Sequence, residues 1–391
     1  MDGDYLSAAE AAERLGVNLQ TLYVYVSRKG IRSRPVPGTR QKEYWLQDIE
    51  RIRRREPANP PTVGPSGESA ITLISDGALY YRGQDAIRLS QAAAFEDVAA
   101  LLWDVPPAQA FAATPPASRP LATAVADLVR HESDVTRALT LLPLLEDADP
   151  KAYDLSRAGM ARTGADILRW LAALVTFADT PSAAPIHAFI GERMTLRAAE
   201  TDLVRRLLVL AADHGFEAST IAARSIAGGG VTPWRAVIGG FCVTVARRSK
   251  SGNLASIGRF VSEVAASVDP LEPVIRRLRD GEPLPGFDPG LYPQGDPRAQ
   301  AIFDQARQVY EGDIEHRRME QALAAALEIQ GLRPNFALAC LFVGRKIGLA
   351  PRHTLFNVGR AAGWIAHAIE QHELGEWVHP SGSYNGPAPH D

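Results

Sequence analysis

The densest cluster of groups able to meet a phosphate lies between residues 28 and 55. Arg28, Lys29, Arg32, Arg34, Arg40, Lys42, Arg51, Arg53, Arg54 and Arg55 are opposed there only by Glu43, Asp48 and Glu50. The whole chain carries a net charge of -3, so this is a local basic patch on a slightly acidic background. Cationic side chains gathered in one stretch are the electrostatic footprint of a phosphate-contacting surface. Just upstream, Gln20, Thr21, Val24, Ser27 and Arg28 share the outer side of a helical pattern, the side that a recognition helix turns toward the major groove. Metal chemistry is not indicated. Cys242 and Cys340 stand apart in apolar surroundings, without CxxC or Cys/His spacing, and are expected to be buried free thiols.

The elements that must carry the basic groups are legible from their ends. Ser7 with Glu10 fits a capping box, Ala8, Ala11, Ala12 and Leu15 form an apolar stripe, and Gly16 stops the helix. Asn18 is placed to cap a second helix over 19–29, with Leu19, Leu22 and Val26 expected to face inward. The Arg/Pro/Gly-rich stretch 31–44 reads as a wing or extended loop, followed by a third helix from residue 46 to about 55. Helix, Gly-Val turn and helix make a helix-turn-helix pattern. The segment LSAAEAAERLGVNLQTLYVYVSRKGI with its Arg-rich wing resembles the MerR/excisionase type, which implies DNA contact by Gln20, Thr21, Arg28, Lys29, Arg32 and Arg34. The same features also suit a helical adaptor with a solvated basic face.

Beyond this first domain (1–56), PANPPTVGPSGE (57–68) reads as a semi-rigid linker, and residues 69–389 form a second domain. Helical patterns dominate there, over 121–132, 164–177, 197–212, 299–330 and 356–370, with strand signals only at 70–75 and 79–82 and Pro/Gly-rich loops at 104–120 and 280–298. The N-terminus lacks the apolar core of a signal peptide, and no apolar run is long enough to span a bilayer. A cytoplasmic location without membrane contact is the expectation.

Five segments of this large domain, in order, carry a family resemblance. They are ITLISDGALYYRGQDAIRLSQAAAFEDVAALLW (71–103), LLVLAADHGFEASTIAARSIA (207–227), LPGFDPGLYPQGDPRA (284–299), FNVGRAAGWIAHAIEQ (356–371) and VHPSGSYNGPAP (378–389). The second resembles "ADHELNAST" and the third "PGFGHxxYxxxDPRA" of citrate synthases. The resemblance implies a mostly α fold of large and small helical subdomains, assembled as a dimer. It implies a site for a CoA thioester, as substrate or ligand with no bound cofactor, and for a small 2-oxo acid. Family chemistry joins carbon to carbon: an aspartate takes a methyl proton, one histidine stabilises the enolate, another polarises the ketone, and arginines hold the carboxylates. A thioester methyl proton is only weakly acidic, so a base needs a donor to the developing oxyanion.

Within that frame His214 matches the enolate-stabilising histidine, and Arg360 a carboxylate-binding arginine. A lone histidine beside an apolar helix is otherwise a satisfied core residue. Three departures stand against ordinary catalysis. Ser249 takes the place of the ketone-polarising histidine of "G-P-x-H-G-G", and no histidine occurs between residues 215 and 315. Asp288-Pro289 replaces Gly-His, making Asp288 a new carboxylate that is either a substitute base or a turn residue. Asn335 falls at the catalytic aspartate and cannot act as a base, and His379 stands where an arginine reaches across the dimer. Asp296-Pro297-Arg298 also fits a helix cap. Three readings follow: an acyl-CoA-dependent enzyme with altered chemistry using His214 and Arg360; a DNA-binding regulator sensing a CoA thioester or organic acid; or a non-catalytic partner of an active paralogue, in a heteromer rather than a homodimer.

Overall fold

A computed structural model describes residues 5–29, 31–36, 39, 41–46, 48–49, 68–117, 120–244, 254–287, 291–292, 294–349 and 355–375. The chain forms two compact units, one within residues 1–66 and one within 67–378.

The first unit holds β1 (Tyr5–Ser7), α1 (Ala8–Leu15), α2 (Leu19–Lys29), β2 (Ser33–Pro35) and β3 (Lys42–Trp45). The capping box forms as its residues require: Ser7 Oγ accepts from Glu10 N while the Glu10 carboxylate accepts from Ser7 N at 2.9 Å. Gly16 ends α1 in the left-handed region, and Asn18 Oδ1 accepts from Thr21 N at 2.8 Å to start α2. The stretch expected as a wing contributes two strands, β2 and β3. They join β1, which is too short to show a period in sequence, in an antiparallel sheet of order β1-β3-β2. Ala11, Ala12, Leu22, Ile31, Tyr44 and Ile49 form the core. Leu19, expected inward, is 46% exposed, and Val26 only flanks the core. Leu46, Asp48 and Ile49 are helical; the rest of the expected third helix and most of the linker lie outside the described residues.

The second unit opens with β4 (Thr72–Ser75), β5 (Ala78–Tyr81) and β6 (Gln84–Asp85), an antiparallel meander. Its turns fall on Asp76-Gly77 and Arg82-Gly83, all four at positive φ, the twist that a two-residue hairpin needs. Helices follow: α3 (Ala86–Ala92), α4 (Phe95–Trp103), α5 (Pro107–Ala110), α6 (Pro120–Leu128), α7 (Asp134–Asp147), α8 (Arg157–Val175), α9 (Ile186–Arg193), α10 (Ala198–Ala211), α11 (Ala218–Ala227), α12 (Pro233–Thr244), α13 (Leu254–Ala266), α14 (Glu272–Arg279), α15 (Pro297–Val309), α16 (Ile314–Gln330), α17 (Phe336–Lys346) and α18 (Phe356–Leu374). The helical pattern at 299–330 resolves into α15 and α16, separated at Gly312 with φ 78°. Helix α6 stops at Leu128, short of the expected end, and α8 begins seven residues before residue 164, capped by Ser156. Helix α18 is buried on nearly every face against α4, α8, α10, α11 and α12. Both cysteines are free; Cys340 is buried, but Cys242 is exposed because it lies on the outward side of α12. Among the described residues no helix is long and apolar enough to cross a membrane.

Candidate functional site

The site is built where α10 ends, α11 begins and α18 crosses both. Close packing sets the geometry. A Cβ at Gly359 would sit 2.6 Å from Ala211 Cβ, and one at Gly363 would sit 2.3 Å from Asp213 Oδ1. These two glycines let α18 lie against the end of α10 and carry Arg360 to the Asp213-His214 turn. The turn is pinned from the opening hairpin. The hydroxyl of Tyr81, fully buried, shares its proton among the carbonyls of Val209, Leu210 and Asp213, and Thr72 Oγ1 donates to Asp213 Oδ2 at 2.6 Å. The same Asp213 oxygen accepts from Gly215 N at 2.8 Å and faces His367 Nε2 at 3.3 Å. Burial alone pushes the Asp213 carboxyl up, but His367, Arg360 and Thr72 hold it well below the usual carboxylate range.

His214 is buried and bonded on both ring nitrogens. Nδ1 lies 2.6 Å from Glu217 Oε1, and Nε2 lies 2.8 Å from the Tyr292 hydroxyl. Burial raises the Glu217 pKa, yet Arg360 and the bond from His214 outweigh it and bring it to about 2. An ionised carboxylate only accepts, so Nδ1 carries the proton and Nε2 accepts from Tyr292. Burial, with the charge of Arg298, lowers the His214 pKa below its ordinary value, so the ring is neutral near pH 7. Burial also pushes Tyr292 up to about 12.

The two arginines differ in kind. Arg298 forks onto Asp296, Nε to Oδ1 at 3.0 Å and Nη2 to Oδ2 at 2.8 Å, while Asp296 also caps α15. That pairing outweighs burial and raises the Arg298 pKa. Arg360 has 0% exposure, and its nearest carboxylate oxygens are Glu217 Oε2 at 3.6 Å and Asp213 Oδ1 at 3.8 Å. Nε, Nη1 and Nη2 all lack a hydrogen-bond partner among the described residues. One turn earlier, Asn357 is buried with neither amide atom bonded.

The structure thus brings His214 and Arg360 together, as their spacing in sequence did not reveal. Asn335 caps α17 through Leu338 N at 3.0 Å, and its own N–H donates to Gly286 O at 2.8 Å, tying the 284–287 loop to α17. Asp288, Ser249 and His379 lie outside the described residues. Cys340 in α17 is inert, its thiol pushed up by burial. In the first unit Gln20 is exposed and Thr21 half-buried. Arg32 pairs with Asp48 at 3.0 Å, and Arg34 pairs with Glu43 at 2.9 Å while stacking over Tyr5. The side chains of Arg28 and Lys29 are outside the description. Glu217, Tyr292, Asp213 and His367 were not singled out in sequence, and Arg298 only as part of a cap. Among the described residues no group of His, Cys, Asp and Glu is arranged to hold a metal.

The family model described as Citrate synthase, C-terminal domain, matches residues 63–381. The chain belongs to the citrate synthase family. Citrate synthase of Haloferax volcanii is 30% identical over 358 residues, covering 82% of this chain and 93% of that protein. The 2-methylcitrate synthase of Mycobacterium tuberculosis is 26% identical over 343 residues, covering 79% and 85%. In fold the chain is similar to the citrate synthase of Thermoplasma acidophilum solved as a ternary complex with carboxymethyl coenzyme A and oxaloacetate, with a TM-score of 0.69 at 18% identity over 83% and 95% of the two chains. As a citrate synthase family member this chain carries a signal that points to one of the overlooked residues. Its ADHGFEAST puts Glu217 where the family string ADHELNAST has asparagine.

Proposed function

We propose that the protein holds a small 2-oxo acid by a carboxylate at Arg360, beside His214, together with a CoA thioester, and that it lacks the fast condensation typical of its family. The observation that carries this is Arg360: a guanidinium at 0% exposure with every nitrogen unbonded. A buried charge without hydrogen bonds is costly, and it persists where a ligand completes it. A carboxylate fits the fork of the guanidinium in bidentate geometry. His214 adjoins the same fork through Glu217, so we place it on the oxo-acid side of the site. The second half of the proposal rests on Asn335, whose amide is occupied as a helix cap where a base is needed. The CoA thioester is inferred from the family, in which the Thermoplasma acidophilum enzyme was solved with a CoA analogue and oxaloacetate. Titration calorimetry with 2-oxo acids tests the reading: saturable binding is expected, and the absence of any heat at millimolar acid removes it.

The acid should bind with proton uptake. His214 is neutral in the free protein because burial and Arg298 lower its pKa. A ligand carboxylate set beside it favours the imidazolium. Affinity is then expected to rise as pH falls, by at most about tenfold per pH unit, and to level off once His214 is protonated without ligand. Calorimetry in buffers of different ionisation enthalpy measures the proton. His214→Gln should abolish the slope; an unchanged slope would move the proton elsewhere.

A second reading is favoured by the first unit, whose capped α1–turn–α2 pair is backed by a three-stranded sheet and leaves Gln20, Tyr23 and Val24 exposed on α2. We propose that this face contacts duplex DNA, making the protein an acid-responsive regulator. Binding should weaken linearly in log Kd against log salt concentration. No retardation of mixed-sequence duplex at 50 mM salt, a concentration at which phosphate contacts are barely screened (screening length of about 10 Å or more), would retire this reading.

A further inference from the structure

We infer that Glu217 restricts this pocket to acids bearing a single carboxylate, its own carboxylate taking the place of a second one. The inference rests on the proposed binding of a 2-oxo acid at Arg360.

The placement is the argument. Glu217 reaches both groups that an incoming acid would use. One oxygen lies 2.6 Å from His214 Nδ1 and the other 3.6 Å from Arg360 Nη2. Its side chain remains 36% exposed, so it stands at the opening of the buried cluster rather than beneath it. The other guanidinium offers no fork to compensate, because Asp296 fills the Nε and Nη2 edge of Arg298 and leaves only Nη1 without a hydrogen bond among the described residues. Arg298 and Arg360 face the three carboxylates of Asp213, Glu217 and Asp296, one more anion than cation among these five groups before any ligand arrives. The Arg360 fork, which makes no hydrogen bond of its own among the described residues, can take one ligand carboxylate. A second would add to an already negative set, within reach of the Glu217 carboxylate, where like charges repel. The unfilled group on the same helix face as Arg360 is neutral: Asn357, three residues earlier, has a buried amide with neither atom bonded. An amide can meet a ketone or hydroxyl, but it has no charge to offer a second carboxylate. Selectivity by a placed repulsive charge is a recognised route to specificity. The occupant is therefore a 2-oxo monocarboxylic acid.

The test compares pyruvate with freshly dissolved oxaloacetate, which share the 2-oxo acid group and differ in the second carboxylate. Titration calorimetry uses the full-length wild type and Glu217→Gln. Glutamine keeps an oxygen for His214 Nδ1, and Glu217 makes no side-chain cap bond to α11, so the fold is not at stake; a thermal melt checks this. Wild type is expected to bind pyruvate at least about tenfold more tightly than oxaloacetate, and Glu217→Gln to tighten oxaloacetate by about tenfold more than it tightens pyruvate. Wild type that binds oxaloacetate as well as pyruvate, or a ratio that Glu217→Gln does not move, overturns the role of Glu217 and leaves acid binding standing. If neither protein binds either acid, the underlying assignment of the pocket falls, and this inference with it.

Discussion

Arg360→Met is expected to abolish acid binding and to lower the stability of the ligand-free protein modestly. The two effects have one source. In the ligand-free protein the Arg360 guanidinium is at 0% exposure and forms no hydrogen bond among the described residues. Methionine has similar length and no charge to desolvate. Replacing a whole buried ion pair by apolar side chains is commonly neutral or stabilising, but removing one partner leaves the other charge buried and costs about 3–5 kcal/mol. Arg360→Met takes a counter-charge from Asp213 Oδ1, which has no hydrogen bond among the described residues, and from Glu217, so the cost falls below that range only as far as their other partners compensate. Asp213 keeps Thr72 and Gly215 N as donors, and Glu217 keeps His214 and its contact with water. Binding should fall much further than stability. A charge-assisted pair to a carboxylate is worth about 1.5–3 kcal/mol per bond, so losing a bidentate pair weakens the acid by at least about 100-fold. Calorimetry and a thermal melt on the same preparation read both. A melting temperature lowered by more than about 5 °C, with acid binding intact, would make Arg360 a structural ion-pair member instead.

The second large effect concerns condensation. Purified protein is expected to release CoA from acetyl-CoA and oxaloacetate at a rate at least about 10⁴-fold below that of a complete site, as the proposed replacement of both the base and an activating histidine requires when each contributes about 10²–10⁴-fold. Asn335→Asp should restore the carboxylate without cost to the helix, since aspartate caps as well as asparagine and can accept the same Leu338 N–H. Alone it should gain little. Proton removal and oxyanion stabilisation act in one transition state, so Asn335→Asp joined to Ser249→His should exceed the product of the single gains. Exchange of the acetyl-CoA methyl protons in deuterated water isolates that step. The opposite outcome is informative: fast turnover by wild type that Asp288→Asn destroys would mean a site rebuilt around Asp288.

What the amino-acid order determined by itself was local or compositional. Ser7 with Glu10, Asn18 with Thr21, and Asp296 ahead of Arg298 each settle a helix end using groups within three residues of one another, so their identity suffices. Asp76-Gly77 and Arg82-Gly83 specify hairpins because few residues tolerate positive φ. The missing histidine between residues 215 and 315 was equally plain, since an absence needs no packing to be read. Tertiary structure decided everything that depends on distance along the chain. It bonded His214 to Tyr292, 78 residues apart, and set Asp213 against Thr72 and His367 across 141 and 154 residues. It left Leu19 and Cys242 in solvent although their neighbours are apolar, because one side of a helix faces out whatever its composition. It also left Arg360 buried without a hydrogen bond among the described residues while forking Arg298 onto Asp296. The two arginines have the same side chain, and only the packing of α18 against the end of α10 denies one of them a carboxylate within bonding distance.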